Sequence, residues 1–158
     1  MNLNIVQANL NIKAEARHVL FLTNTYALDK MGGGKPLSSY VQEHLIDGLK
    51  AAPNSLIYIA YIDNNPVGIA TCFIGYSTFY AKNLINIHDL SVIPKARGMG
   101  VGKALIKTVI EKAKELNCCK ITLEVLENNP ARNLYEREGF EYGEQKFLFM
   151  TKLVVDEG

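Results

Sequence analysis

The sequence has no apolar run long enough to cross a membrane and almost no net charge. It contains 17 basic and 16 acidic residues among 158, which gives a net charge of +1. This balance argues against the strongly basic surface that a nucleic-acid-binding protein usually needs. The segment Met1–Val6 has no basic region followed by a long apolar stretch, so we predict no signal peptide. We therefore expect neither a membrane nor a nucleic-acid partner.

Cysteine is also scarce. The three cysteines are Cys72, Cys118 and Cys119. Their number is odd, their spacing fits no zinc motif, and adjacent cysteines are difficult to bridge. The simplest interpretation is a cytoplasmic protein with reduced thiols. No group of His, Cys and carboxylate residues has metal-ligand spacing, so we expect no bound metal.

The sequence does contain enough apolar residues for one sizeable core. Hydrophobic residues make up 48% of the chain, and the length suits a single domain over residues 1–158. Periodicity and turn residues predict the order β-α-α-β-β-β-α-β-α-β-β, which is an α/β fold with a mixed sheet. The predicted strands are 2–8, 55–62, 67–76, 84–93, 121–126, a short one near Tyr142, and 147–155. The predicted helices begin near Ile12, Ser38, Gly100 and Asn129.

The most informative segment is Arg97–Gly102, which reads RGMGVG after a predicted strand and opens a predicted helix. Glycine lets the backbone approach a ligand closely, and the first amides of a helix attract phosphate. A dinucleotide-binding turn requires G-x-G-x-x-G, and a triphosphate loop ends in Gly-Lys-Ser/Thr; the segment has neither. The pattern Arg-x-x-Gly-x-Gly of a coenzyme A pyrophosphate turn is matched at Arg97, Gly100 and Gly102. A purely structural tight turn is the remaining alternative.

Four segments together resemble the GCN5-related N-acetyltransferase (GNAT) superfamily. They are 87–94, 97–105, 123–125 and a final stretch with Asn128, Ala131, Leu134, Tyr135, Glu136, Gly139 and Phe140 at family spacing. The resemblance covers residues 85–140. It implies a GNAT-type mixed sheet of about seven strands flanked by about four helices. Strands 84–93 and 121–126 would be a parallel pair that splays apart around acetyl-CoA, the co-substrate.

The resemblance also implies a role for particular residues. Backbone groups of Leu90 and Val92 would pair with the pantetheine arm, and amides over 98–103 would hold the pyrophosphate. Asn128 would hold the cofactor arm near the splay. The implied cofactor-binding residues are Leu90, Val92, Arg97, Gly98, Met99, Gly100, Val101, Gly102, Lys103 and Asn128.

Tyr135 occupies the position of the family's general acid. A phenol beside the sulfur can protonate the departing CoA thiolate; the alternative is an aromatic at the core edge. His88 is a candidate base because imidazole accepts protons near neutral pH, and the alternative is a hydrogen-bonded core histidine. Strand alternation predicts that Asn86 shares the face of His88 and that Asp89 lies on the opposite face. Asp89 and a water chain remain alternatives to His88 as the base.

The implied reaction is direct transfer of acetyl from acetyl-CoA to a primary amine. The acceptor, a small molecule, an amino acid or a peptide N-terminus, would meet the loops 31–37 and 75–82. Two alternatives are a CoA-binding regulatory module with the same fold and an enzyme that uses a longer acyl-CoA. A homodimer is expected only by analogy with the family.

Overall fold

The computed structural model describes residues 1–155 and has a five-stranded sheet flanked by helices. The strands are β1 (Leu3–Gln7), β2 (Ser55–Ile62), β3 (Asn65–Ser77), β4 (Lys82–Val92) and β5 (Lys120–Leu123). The α-helices are α1 (Lys13–Leu28), α2 (Ser39–Ala51), α3 (Val101–Glu115) and α4 (Arg132–Arg137). The strands lie in the order β1-β2-β3-β4-β5. The first three pairs are antiparallel, and β4 and β5 are parallel.

Local sequence explains the central hairpin and the start of α2. Asp63 and Asn64 join β2 to β3 with φ angles of 48° and 69°, the left-handed values that a two-residue hairpin turn needs and that these residue types tolerate. Ser38 caps α2, because its hydroxyl accepts a hydrogen bond from the Val41 amide at 3.2 Å. The residue types at these positions explain both features, and α2 begins where the sequence predicts it.

The core lies between the central strands and the helices α1 and α3. Val19 and Leu22 of α1 are buried, as are Leu105 and Val109 of α3. Gly68 on β3 is what brings α3 close: a Cβ there would lie 2.8 Å from Val101 Cγ1. The face of β3 that includes Gly68 is therefore the one covered by α3.

The short helix α4 is closed by a glycine in the left-handed conformation. Gly139 has a φ of 93°, its amide donates to the Glu136 carbonyl at 3.1 Å, and the Phe140 amide donates to the Tyr135 carbonyl at 3.0 Å. This pair of bonds is the Schellman motif, which requires a left-handed residue after the helix. It fixes the position of Tyr135 in the last turns of α4.

Two expectations about the sheet are wrong. The sheet has five strands rather than about seven, because the residues near Tyr142 and the segment 147–155 form no strand in the described part of the chain. Residues 141–155 are all exposed, and their backbone groups join no ladder of the sheet. Strand β5 also ends at Leu123 instead of Leu126.

Over residues 1–155, no helix is both long and apolar enough to span a membrane. The same residues contain no cluster of three or more His, Cys, Asp or Glu side chains that could hold a metal ion.

Candidate active site

The parallel strands β4 and β5 separate partway along their length. They pair from Leu84 with Lys120 to Ile87 with Leu123. Strand β4 then continues for five residues to Val92, whereas the chain after Leu123 leaves the strand conformation. A V-shaped opening therefore forms between them, and backbone groups of β4 beyond Ile87 are no longer paired with β5. The predicted parallel pair is present, and its pairing ends at Ile87 and Leu123.

A cavity of about 90 Å³ occupies this opening. It brings together three residues that the sequence singled out: His88, Leu90 and Tyr135. The other lining residues are Tyr26, Met31, Ile87, Leu123, Glu124, Val125, Leu126 and Asn129. Met31 belongs to the first loop that the sequence assigned to the acceptor.

A β-bulge at His88 changes which side chains share a face. On β3, Thr71 pairs with Asp89 and the next residue, Cys72, pairs with Ile87, so His88 is the extra residue. The bulge interrupts the alternation on which the sequence-based prediction relied. His88 is exposed, and its ring packs edge-on against Phe73 with centroids 5.5 Å apart. His88 is therefore not a buried core histidine.

Asn86 and Asp89 lie on one face as a consequence of the bulge. Asn86 pairs with Phe73 and Asp89 pairs with Thr71, and these two partners are two residues apart on β3. The prediction that Asp89 points away from Asn86 is wrong for this reason. The Asn86 amide also braces the narrow end of the opening, donating to the Thr122 hydroxyl at 3.1 Å.

Burial makes Asp89 an unusual carboxyl group. Burial raises its pKa above the ordinary value of 3.8, and the nearby His88 partly opposes that rise. The Asp89 carboxylate also raises the pKa of the Tyr26 hydroxyl, after the larger effect of that hydroxyl's own burial. Asp89 thus lies near the cavity wall that Tyr26 forms.

Tyr135 is buried, with 8% of its surface exposed. Burial, followed by the influence of Tyr26, raises the pKa of its hydroxyl to about 12. Its ring contacts Phe140 in a T-shaped arrangement with centroids 6.0 Å apart. A phenol with this pKa stays protonated at neutral pH, so it is available as a proton donor.

The three glycines of the RGMGVG turn have two different roles. Gly98 and Gly100 have φ angles of 79° and 82°, and a Cβ at either position would meet only open space. Glycine suits them because of the backbone conformation. At Gly102, by contrast, a Cβ would lie 2.9 Å from Leu134 Cδ2, so this glycine lets α3 approach α4.

The turn leaves the amino end of α3 available to an anion. Gly100 is the N-cap and has no side chain to accept from the first amides of the helix, which begins at Val101. Those amides and the helix dipole favour a negatively charged group. Met99 and Lys103 are exposed beside them. The residues present therefore fit a pyrophosphate.

Arg97 joins this turn to the end of α1. Its Nη2 donates to Asp29 Oδ2 at 2.6 Å, and its Nε donates to the Val92 carbonyl at 3.2 Å. Asp29 also accepts from the Met31 amide at 2.9 Å. The hydrogen bond from Arg97, followed by the one from the Met31 amide, lowers the pKa of Asp29.

The structure places Asn128 outside the cavity. Asn128 is exposed, and its neighbour Asn129 lines the cavity instead. Asn129 Oδ1 accepts from the Ala131 amide at 2.9 Å and so shapes the entry to α4. The sequence analysis also missed Tyr26, because the helical pattern of α1 does not indicate that this tyrosine faces the opening between β4 and β5.

The cysteines lie away from the cavity lining. All three are free thiols, and Cys72 is buried. Burial is the main cause that raises the pKa of the Cys72 thiol to about 12. A thiol with this pKa is a poor nucleophile at neutral pH.

Comparisons with known proteins agree with this geometry. Residues 21–140 match the profile described as the acetyltransferase (GNAT) family. An uncharacterized N-acetyltransferase of Methanocaldococcus jannaschii is 35% identical over 101 residues, which is 61% of this chain and 45% of that protein. A mouse thialysine N-epsilon-acetyltransferase is 38% identical over 93 residues, 58% of this chain and 48% of that protein. The matches span about half the length of these curated relatives.

Solved structures show the same fold. A transcriptional regulator from Bacillus halodurans superposes with a TM-score of 0.79 at 22% identity, covering 96% of this chain and 100% of that one. An aminoglycoside acetyltransferase from a soil metagenomic sample, in complex with sisomicin, gives 0.77 at 19% identity, covering 97% of each chain. Such identities support the fold alone. The family match extends over most of the sequence, and the chain belongs to the acetyltransferase (GNAT) family.

Proposed function

We propose that this protein transfers an acetyl group from acetyl-CoA to a primary amine by direct attack within a ternary complex. The observation that carries the proposal is the opening between β4 and β5. It has Tyr135 in its wall, and β4 leads from it to the RGMGVG turn. A thioester on an extended pantetheine arm fits that arrangement. Its pyrophosphate would bind at the amino end of α3, and its arm would follow the unpaired backbone of β4 near Leu90 and Val92.

The residues of the opening suit each proton transfer. The amine nitrogen attacks the thioester carbonyl carbon, and a backbone amide of β4 stabilises the oxyanion that forms. The carbon–sulfur bond then breaks, and the Tyr135 hydroxyl gives its proton to the sulfur. The amine loses its own proton to a base, for which His88 and Asp89 are the candidates, directly or through water. The Tyr135 phenolate regains a proton from solvent.

The size and charge of the cavity favour a short acyl group and a cationic acceptor. About 90 Å³ accommodates an acetyl group and a few water molecules. Glu124 lines the cavity, so an approaching ammonium group meets negative charge. Two relatives are named for amine-bearing acceptors, thialysine and the alanine of ribosomal protein bS18. We infer an acceptor that presents one primary amine on a small molecule or a peptide.

A pair of glycine variants tests the binding half of this proposal. Gly100 and Gly143 have nearly the same φ, 82° and 80°, and open space at the Cβ position. Valine should strain the backbone similarly at both positions, but only Gly100 lies at the turn. At about 100 times its Kd, acetyl-CoA should stabilise the wild type by about 2.7 kcal/mol, a rise in Tm of about 5–10 °C. We expect Gly143→Val to keep this rise and Gly100→Val to lose it.

Release of the CoA thiol in the presence of a panel of primary amines tests the transfer half. We expect amine-dependent release by the wild type. A thermal shift with acetyl-CoA but no release with any amine would identify a regulatory CoA-binding module. A shift retained by Gly100→Val would show that the pyrophosphate does not bind at this turn.

A further inference from the structure

The cavity between β4 and β5 has one carboxylate in its wall. Glu124 supplies it. The other lining residues with polar side chains are Tyr26, His88, Asn129 and Tyr135. Among the described residues that line the cavity, none is a lysine or an arginine. Arg97 lies outside the lining, where its guanidinium donates to Asp29 at 2.6 Å. The lining therefore offers a negative charge but no guanidinium or ammonium group.

The Glu124 side chain is held at the point where β4 and β5 separate. Strand β5 ends at Leu123, so Glu124 is the first residue after the last pair of the ladder. The Asn86 side-chain amide donates to Glu124 Oε1 at 3.5 Å and to the Thr122 hydroxyl at 3.1 Å. In the described part of the chain, no lysine or arginine forms an ion pair with Glu124. An amide thus orients this carboxylate, and no cation compensates its charge.

The charge of Glu124 bears on what an acceptor can carry beside its amine. An α-amino acid has a carboxylate on the carbon next to the reacting nitrogen. When that nitrogen reaches the thioester, the carboxylate must lie within or beside the cavity of about 90 Å³. There it meets Glu124, a charge of the same sign, and finds no lysine or arginine with which to pair, so its binding is disfavoured. An amide in its place is neutral, and its NH₂ group can donate a hydrogen bond to Glu124.

We propose that Glu124 makes this site selective for primary amines whose neighbouring carbon bears no free carboxylate. Amino-acid amides, peptide N-termini and simple alkylamines belong to this class, and free α-amino acids do not. Glu124 is then a specificity-determining residue, which rejects the wrong acceptor by repulsion. The inference rests on the proposed function, because it concerns the acceptor of that same reaction.

Matched pairs of acceptors test the proposal. Release of the CoA thiol is measured with alanine and alaninamide, leucine and leucinamide, and serine and serinamide. The proteins are the wild type, Glu124→Gln and, as a control, Glu127→Gln, which changes an exposed residue outside the cavity lining. The quantity compared is kcat/KM for the amide divided by kcat/KM for the acid. The different basicities of the two amines cancel in this comparison, because they are the same for all three proteins.

We expect this ratio to fall about fivefold in Glu124→Gln, the upper end for a pair of exposed charges, and to stay unchanged in Glu127→Gln. Salt gives a second measurement that needs no variant. Between about 0.05 M and about 1 M salt, the wild-type ratio should fall towards that of Glu124→Gln, because screening weakens the repulsion. The ratio of Glu124→Gln should change less.

The outcomes separate this inference from the proposed function. An unchanged ratio in Glu124→Gln would overturn the inference and leave acetyl transfer standing. An equal fall in kcat for both members of each pair would also overturn it, since Glu124 would then act in a step common to both acceptors. A wild type that prefers the free acids would show that another lining group, such as His88, receives the carboxylate, and the proposed selectivity would be wrong. If no primary amine gives CoA release, the proposed function fails, and this inference fails with it.

Discussion

At the scale of single residues, Tyr135 has the clearest physical case for a chemical role. Tyr135 lines the cavity, and burial raises the pKa of its hydroxyl to about 12. A phenol with this pKa stays protonated at neutral pH and can donate a proton to a leaving group bound in the opening. The resemblance to the GNAT family singled out this residue, because Asn128, Ala131 and Leu134 keep the family spacing around it.

We predict that Tyr135→Phe lowers kcat by about 100-fold and leaves the KM for acetyl-CoA nearly unchanged. The variant keeps the ring and its contact with Phe140 and removes only the proton donor. Steady-state kinetics at saturating amine measures the effect, with Tyr142→Phe as the control because the Tyr142 hydroxyl binds Arg132 and Glu136 away from the cavity. An unchanged kcat would remove Tyr135 from the mechanism.

Asp89 yields a prediction about stability and pH. Its pKa in the folded state is raised mainly by burial. The ionised Asp89 carboxylate therefore destabilises the folded state, and this loss of stability develops as pH rises through the raised pKa. Asp89→Asn removes the charge. We expect the variant to be more stable than the wild type at pH 8. The gain should vanish below the ordinary pKa of 3.8, where the carboxyl is neutral in both states.

Urea denaturation at several pH values measures this difference. Asp47→Asn, at an exposed position on α2, is the matched control and should show little change. A loss of stability at pH 8 in Asp89→Asn would contradict the sign. If the variant is more stable but also loses acetyl transfer, Asp89 is kept for function at the expense of stability.

At the scale of elements, the sequence predicted what depends on local chemistry and missed what depends on pairing. The Asp63-Asn64 turn, the Ser38 cap and the Gly139 cap each follow from one residue type in one backbone conformation. The bulge at His88 arises from the register between β3 and β4, which no local pattern contains. It placed Asp89 on the face of Asn86 and left His88 as the extra residue of β4.

The segment 147–155 shows the same limit in another way. Its composition predicts a strand, and within the described chain it forms none. Strand propensity expresses how well side chains fit a pleated, buried surface, so it is realised only where a neighbouring strand supplies that surface. Composition alone therefore does not show whether such a segment finds a neighbouring strand with which to pair.

At the scale of the whole molecule, the Asp29–Arg97 ion pair links two regions that are far apart in the sequence. Asp29 follows α1 and anchors the loop that contains Met31, a cavity-lining residue, while Arg97 begins the RGMGVG turn. The pair is 2.6 Å long with the Arg97 side chain about half exposed. If acetyl-CoA binds as proposed, Arg97 can turn from Asp29 towards the pyrophosphate, and the carboxylate would compete with that anion for the same guanidinium.

We predict that Asp29→Asn tightens acetyl-CoA binding, with a two- to fivefold fall in Kd, about the scale of an exposed ion pair. Asparagine keeps an oxygen that accepts from the Met31 amide, so the loop retains its anchor while one negative charge near the pyrophosphate disappears. Isothermal titration with acetyl-CoA at low and high salt measures the change. The gain should shrink at high salt because screening weakens the competing carboxylate. Weaker binding by Asp29→Asn would instead mean that Asp29 positions Arg97 for the anion, and Arg97→Lys would then lose affinity in the wild type but not in the variant.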